Sequence, residues 1–242
     1  MAESLLRPLG LIGGMSWQST QIYYVHINTE VNARLGGNHS APLFLYSYDF
    51  AEIEALQAAG HWDQAGKNLA DIARRLEDAG AEAIVICTNT MHKLTEYVDE
   101  ATSIPLLHIV DATASAILAS EAQNCLLLAT CYTMEQDFYK TPLADKIASD
   151  NRKLHIPPAP ACKIVHHIIY EELCRGIVRQ QSRKAYLDII NQAADEFGVD
   201  GVILGCTEIG MLIGAQDTKL AVFDTTSLHC KAATDFILAN IE

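Results

Sequence analysis

Ala81-Glu-Ala-Ile-Val-Ile-Cys-Thr-Asn-Thr-Met-His92 decides how this chain is read, because it has a counterpart in Val199-Asp-Gly-Val-Ile-Leu-Gly-Cys-Thr-Glu-Ile-Gly210. Each stretch contains a short run rich in Val, Ile and Leu, reaches Cys-Thr, and passes into residues able to start a helix. A continuous apolar run suits a strand buried on both faces of a parallel sheet. Open α/β folds bind ligands beyond the carboxyl ends of such strands, where both Cys-Thr pairs would fall. A cysteine there, just ahead of a helix N-terminus, sits in a field that favours its thiolate, and Cys206 is expected to be accessible.

Cys87 and Cys206 are 119 residues apart, and the same interval separates Met15 from Met134. Met15 ends the run Pro8-Leu-Gly-Leu-Ile-Gly-Gly-Met15, read as a first strand breaking into a glycine turn that could approach a small anion. Met134 ends Asn124-Cys-Leu-Leu-Leu-Ala-Thr-Cys-Tyr-Thr-Met134, read as a strand with a polar turn. A third match, at an interval of 113, joins Asp111 after Ile104–Val110 to Asp224 after Leu220–Phe223. Three strand-and-turn units recurring in order predict a duplicated α/β domain. The expected division is residues 1–110 with 224–242 against residues 111–223. Right-handed crossovers would bring both sets of strand ends to one crevice.

Between the strands, Ser16 and its neighbours open a helix to about Arg34, and Pro42–Tyr48 is a second strand. Asp49 heads a helix with capping-box spacing to Glu52. Leu69, Ile72, Ala73 and Leu76 mark the buried stripe of the next helix. A helix is expected after Asn89. Residues 151–160 read as an irregular proline-rich connector, leading to a helix with Lys163, His166 and Glu171. Leu187, Ile190, Ala194 and Phe197 mark the face of a later helix.

The formal charge of −13 argues against a nucleic-acid surface, which needs clustered Lys and Arg. No apolar segment approaches the ~18 residues of a membrane-spanning helix. Glu3, Arg7 and Pro8 argue against a signal peptide, so the expectation is a cytoplasmic protein. Seven cysteines without a C-x-x-C pair fit neither a disulfide framework nor a zinc ribbon. Cys125, Cys162, Cys174 and Cys230 read as buried, inert thiols, and His92, His108, His166 and His167 as capping or packing residues.

Two thiols facing one cleft could form a redox pair, bind a metal, or exchange protons on opposite faces of one carbon. The missing C-x-x-C disfavours the first, and the absence of regularly spaced His or carboxylate ligands disfavours the second. Proton exchange fits best. A thiol with an intrinsic pKa near ~8.5, lowered by its surroundings, is a workable general base. Asn89, Thr90 and Thr207 could hold a carboxylate and stabilise the enediolate left when the α-proton departs. No metal or cofactor is then required.

The stretches Leu11-Ile-Gly-Gly-Met-Ser-Trp, Leu35-Gly-Gly-Asn-His-Ser-Ala, Cys87-Thr-Asn-Thr-Met-His, Tyr132-Thr-Met-Glu-Gln-Asp-Phe-Tyr and Gly205-Cys-Thr-Glu-Ile-Gly closely resemble the aspartate/glutamate racemase family. The resemblance spans nearly the whole chain. It implies two Rossmann-like parallel-sheet halves related by a pseudo-twofold axis, with the active site in the cleft between them. It further implies a homodimer that racemises an acidic amino acid without pyridoxal phosphate. By that resemblance Cys206 is one acid/base, and Met15, Gln57, Asn89, Thr90, Thr133, Lys163 and Thr207 contact the substrate, Lys163 pairing with its distal carboxylate. Many family members have Cys directly before Asn-Thr, whereas here the order is Cys87-Thr88-Asn89-Thr90. Alignment on Asn-Thr gives the second catalytic position to Thr88 and turns Cys87 into the strand; alignment on the internal repeat pairs Cys87 with Cys206. The Asn-Thr register is preferred, because those two residues must meet the substrate. A diacid isomerase or decarboxylase on the same scaffold, or a non-catalytic small-acid binder, are the competing functions.

Overall fold

In the computed structural model, residues 5–241 are described; Glu3, used in reading the N-terminus, lies outside them. The described chain separates into two units. The first holds residues up to His108 together with those from His229 onward, and the second is Ile109–Leu228.

In the first unit, β1 (Leu9–Gly13) is followed by α1 (Trp17–Leu35), β2 (Leu43–Ser47), α2 (Phe50–Ala58), α3 (Trp62–Asp78) and β3 (Ala83–Ile86). The Ser16 hydroxyl accepts the Ser19 N–H and caps α1, while Asp49 accepts the Ala51 N–H at the head of α2. The strands lie in the parallel order β2-β1-β3. Their residues alternate between two cores, as the pleat requires. Ile12, Ile84 and Ile86 pack with the α3 stripe of Leu69, Ile72, Ala73 and Leu76. Leu9, Leu11, Ala83, Val85 and Cys87 pack on the other side with Tyr23, Ile27 and Val31 of α1.

The helix expected after Asn89 is divided into a 3-10 turn, Thr90–Leu94, and a short α4, Thr95–Asp99. Ile104–Val110 is not a strand; it makes one parallel bridge, Leu106 to Ile84. Pro105 has no N–H to donate, and a helix already begins at Ile109.

That helix, α5 (Ile109–Leu118), opens the second unit. It is followed by β4 (Asn124–Leu128), α6 (Cys131–Glu135), α7 (Asp137–Ala148), β5 (Lys153–His155), α8 (Ala159–Glu171) and α9 (Gln180–Phe197). Next come β6 (Gly201–Leu204), β7 (Ala221–Asp224) and α10 (Thr225–Leu238). The first unit takes α10 from His229 onward. The strand order is β5-β4-β6-β7, again parallel. β4 is shorter than expected because Thr130 caps α6, its hydroxyl accepting the Thr133 N–H. The supposed connector contains β5, whose three residues pair with Asn124, Cys125 and Leu126. On α9 the buried stripe is Ser182, Tyr186, Ile189, Ile190 and Ala193. Leu187 and Ala194 are half-buried and Phe197 is exposed, so the expected face is rotated.

The two sheets share one order: β2-β1-β3 with the Leu106 bridge, and β5-β4-β6-β7. The last paired residues are Ile12 with Ile86 in one sheet and Leu128 with Leu204 in the other. One residue further on, the Cys87 N–H donates to Ile12 O at 2.9 Å, and the Gly205 N–H donates to Leu128 O at 2.7 Å. Cys87 therefore corresponds to Gly205, and Thr88 to Cys206. The equal spacing of Met15 and Met134 does not mark equivalent positions, since Met15 precedes the cap of α1 whereas Met134 lies inside α6.

Candidate active site

At the end of β3 the pleat turns Cys87 toward the same core as Ala83 and Val85. Its side chain is fully buried, its carbonyl accepts the Ser19 hydroxyl at 2.7 Å, and burial pushes its thiol well above the ordinary range. The favoured thiolate expected from a helix start is not found at Cys87, and its burial is the orientation that the Asn-Thr register expects.

Thr88 is half-buried. Its N–H turns back to Ile86 O at 2.8 Å, and its carbonyl accepts the Nδ1–H of His92 at 2.8 Å. His92 is buried, with the His108 ring 4.7 Å and the His229 ring 5.6 Å from its own. Burial first, then these two neighbours, hold His92 well below the usual imidazole pKa. His229 donates from Nε2 to Leu107 O at 2.7 Å, which leaves Nδ1 to accept the Tyr23 hydroxyl at 2.8 Å. Burial lowers its pKa to about 4. No spacing or motif marks His229, since residues 92, 108 and 229 meet only through the fold.

Asn89, Thr90, Met15 and Gln57 are all buried in this unit. The Asn89 carbonyl accepts the His92 N–H at 3.1 Å. Gln57 donates from Nε2 to the Met91 sulfur at 3.1 Å, and Met15 packs in the same cluster as Met91 and Ile53. The glycine turn is closed rather than open to an anion. The Gly14 N–H donates to the Thr20 hydroxyl at 2.7 Å, and a Cβ on Gly14, at φ +82°, would lie 2.2 Å from Tyr48 O.

In the second unit, Cys206 follows β6 and is 9% exposed. The residues after it form only a three-residue 3-10 turn, Ile209–Met211, which lacks the aligned peptides of a helix dipole. The turn folds Glu208 back toward the strand end. Glu208 Oε2 accepts the Cys206 Sγ–H at 3.0 Å and the Thr207 hydroxyl at 2.6 Å. Burial, then the Glu208 carboxylate, push the Cys206 thiol well above its ordinary value. Burial and Glu208 thus oppose the low thiol pKa expected here. The signal for Glu208 was present in Cys206-Thr-Glu208, a carboxyl two residues beyond a thiol.

Thr207 is buried beside Glu208. Thr133 is fully buried, its hydroxyl 3.2 Å from that of Thr130. Lys163 is exposed on α8. On the same helix His166 accepts the Cys131 N–H through Nδ1 at 3.1 Å. Cys125, Cys162 and Cys230 are buried, whereas Cys174 is partly exposed and its sulfur lies 3.8 Å from Glu208 Oε1. Thus Met15, Gln57, Cys87, Thr88, Asn89 and Thr90 belong to the first unit, and Thr133, Lys163, Cys206 and Thr207 to the second. Among the described residues, no three His, Cys, Asp or Glu side chains converge as metal ligands, and no helix is long and apolar enough to cross a membrane.

A sequence model of the Asp/Glu/hydantoin racemase family matches residues 12–233. The chain belongs to that family. As a member it is an amino-acid racemase, an isomerase. The match includes every candidate from Met15 to Thr207. Among solved structures, the racemase chain is similar to a putative Asp/Glu racemase from Yersinia pestis. The two are 49% identical, with 96% of this chain and 100% of that one covered and a TM-score of 0.87. An aspartate racemase homologue from Pyrococcus horikoshii OT3 is 31% identical, covering 98% of this chain and 100% of its own at a TM-score of 0.81. The broad specificity amino-acid racemase RacX of Bacillus subtilis (strain 168) is 22% identical, over 73% of this chain and 74% of its own.

Proposed function

We propose that this racemase acts on an acidic amino acid, aspartate or glutamate, without pyridoxal phosphate. Cys206 and Thr88 are its two proton-transferring groups, acting on opposite faces of the α-carbon. The observation that carries this reading is their common register, each one residue beyond the N–H that closes its strand end. Cys87, turned into the core beside Val85, is the weaker choice for the second position.

Removal of the α-proton leaves an electron pair that spreads into the substrate carboxylate as an enediolate. Asn89, Thr90 and the backbone N–H of Thr207, whose hydroxyl is given to Glu208, donate hydrogen bonds to that group, strongest as its charge develops. Lys163, exposed on α8, supplies a cation for the side-chain carboxylate. Met15, Gln57 and Thr133 shape the remaining contacts. The electron pair needs no Schiff base to receive it, so the reaction proceeds without a cofactor. The working form is a cytoplasmic homodimer.

The test is loss of the Hα signal from L-aspartate and L-glutamate in deuterated buffer, with chiral analysis of the product. Exchange and racemisation of one or both are expected, and both should survive hydroxylamine treatment. A protein that exchanges only neutral or basic amino acids would overturn the acidic assignment. Activity restored only by pyridoxal phosphate would overturn the mechanism.

A further inference from the structure

We infer that Glu208 is the positioning residue of Cys206: its Oε2 takes the thiol proton when Cys206 must act as a base and returns it when Cys206 must act as an acid. This rests on the reading of Cys206 as one of the two proton-transferring groups.

The geometry is local and built by the turn. The Ile209 N–H donates to Cys206 O at 3.1 Å, which brings the Glu208 side chain back over the thiol. Oε2 lies 3.0 Å from Cys206 Sγ and 2.6 Å from Thr207 Oγ1. A hydroxyl and a thiol both donate to one oxygen, so that oxygen is the acceptor. Oε1 lies 3.8 Å from Cys174 Sγ. Glu208 is 2% exposed. A carboxyl removed from water is costly unless it is hydrogen-bonded, and thiols are weak donors. The bonds it accepts from Cys206 and Thr207 hold its Oε2 at the thiol.

A buried thiol next to a carboxylate rests as S–H, and in that form it cannot remove an α-proton. In the proposed step the S–H bond breaks, the electron pair stays on sulfur, and an O–H bond forms on Glu208 Oε2. The thiolate then takes the α-proton, a new S–H bond forms, and the Cα–H pair passes into the substrate carboxylate. The Thr88 hydroxyl protonates the opposite face. The balance is restored when Glu208 releases its proton to water and Thr88 regains one. In the opposite direction Glu208 starts protonated and Thr88 has given its proton to water; the Thr88 oxygen takes the α-proton, Cys206 delivers its own to the other face, and Glu208 Oε2 returns a proton to the thiolate.

The experiment compares the full-length wild type with Glu208→Gln, Glu208→Asp and Cys206→Ala by two readouts. One is kcat and KM for Hα exchange of the acidic amino acid. The other is the rate of iodoacetamide labelling at Cys206, resolved by mass spectrometry without substrate. Glu208→Gln is expected to lower kcat roughly 100-fold with KM changed less than about threefold. The same variant should label several-fold faster at Cys206, because the charge opposing the thiolate is gone. Glu208→Asp keeps a carboxyl and should recover part of the turnover. Opposite movement of the two readouts is the signature, since a merely structural loss would not slow turnover while preserving KM. Unchanged turnover in Glu208→Gln overturns the inference, as does a fall in which Glu208→Asp is no better. Should Glu208→Gln fail to fold, Glu208→Asp decides: wild-type turnover with wild-type labelling overturns it, and reduced kcat at unchanged KM supports it. Full activity in Cys206→Ala would instead refute the underlying reading of Cys206.

Discussion

Thr88 and Cys206 hold the same place in two sheets, each directly after the residue whose N–H closes its strand onto the neighbour, Ile12 in one case and Leu128 in the other. They are 118 residues apart. Their chemistry is unequal. A threonine hydroxyl can donate a proton to a carbanion, but its alkoxide is too basic to persist near neutrality, whereas a thiol can cycle through its thiolate.

The first prediction follows from that inequality. We propose that Cys206 faces the α-proton of the L-enantiomer, as the family resemblance implies; L-aspartate or L-glutamate should then turn over with a higher kcat than the D-form. The equilibrium fixes the ratio of kcat/KM between directions, so the asymmetry must appear in kcat and KM separately. Thr88→Cys should raise the D-side kcat at least several-fold, and Cys206→Ala should abolish both directions. Cys87→Ala removes a small buried sulfur and should cost about 1 kcal/mol of stability or less while leaving both kcat values near wild type. An inactive Cys87→Ala with a silent Thr88→Cys would return the second catalytic role to Cys87.

A second prediction concerns acid. The folded chain protonates His229 only near pH 4, against an ordinary value of 6.5. Between those values the unfolded chain holds a proton that the folded chain does not. Stability therefore falls as pH is lowered from 6.5 toward 4, by up to about 3 kcal/mol from this residue. His92 is shifted in the same direction by burial. Urea midpoints at pH 7, 6, 5 and 4.5 should decline, and His229→Gln should flatten the decline. An equal slope in the variant would assign the acid loss elsewhere.

Much of this architecture could be read from the chain because its strands are continuous apolar runs and α3 carries its stripe at helical spacing. What escaped has identifiable physical causes. β5 is only three residues long and begins with Lys153, so no pattern length could mark it. The face of α9 was misjudged because Ser182 and Tyr186 are buried: Ser182 donates to Glu172 and Tyr186 to Val165 O, and such partners are invisible in a sequence. The Cys-Thr repeat misled for a third reason. Matching letters align Cys87 with Cys206, while backbone hydrogen bonds align Cys87 with Gly205. The Asn-Thr register, which sets Thr88 opposite Cys206, agrees with those backbone hydrogen bonds.

Gly205 provides a third prediction. A Cβ there would lie 2.7 Å from Leu127 Cδ1 and 3.2 Å from Leu128 O, so the buried Leu127 side chain must shift and the backbone contact is tight. Gly205→Ala should destabilise the protein by about 1–3 kcal/mol and lower kcat, since the next residue is Cys206. Cys87, at the corresponding position of the first sheet, has a side chain and a pocket to hold it. Cys87→Gly should therefore lower the unfolding midpoint without the loss of kcat seen in Gly205→Ala.

The last prediction is the order in which the cysteines react. Cys131 and Cys174 are partly exposed, whereas Cys87, Cys125, Cys162, Cys206 and Cys230 are buried. Reaction needs both access and thiolate, and burial raises the Cys125 pKa to about 12 and that of Cys162 to about 11. Burial and the Glu208 carboxylate raise Cys206 as well. With limiting iodoacetamide at pH 8, mass spectrometry should find Cys131 and Cys174 labelled first and Cys206 more slowly. Cys87 and Cys125 should label only on unfolding. Activity should track Cys206 labelling rather than the first thiol modified. Cys206 reacting ahead of Cys131 and Cys174 would mean that its thiolate is stabilised, contrary to the hydrogen bond it donates to Glu208.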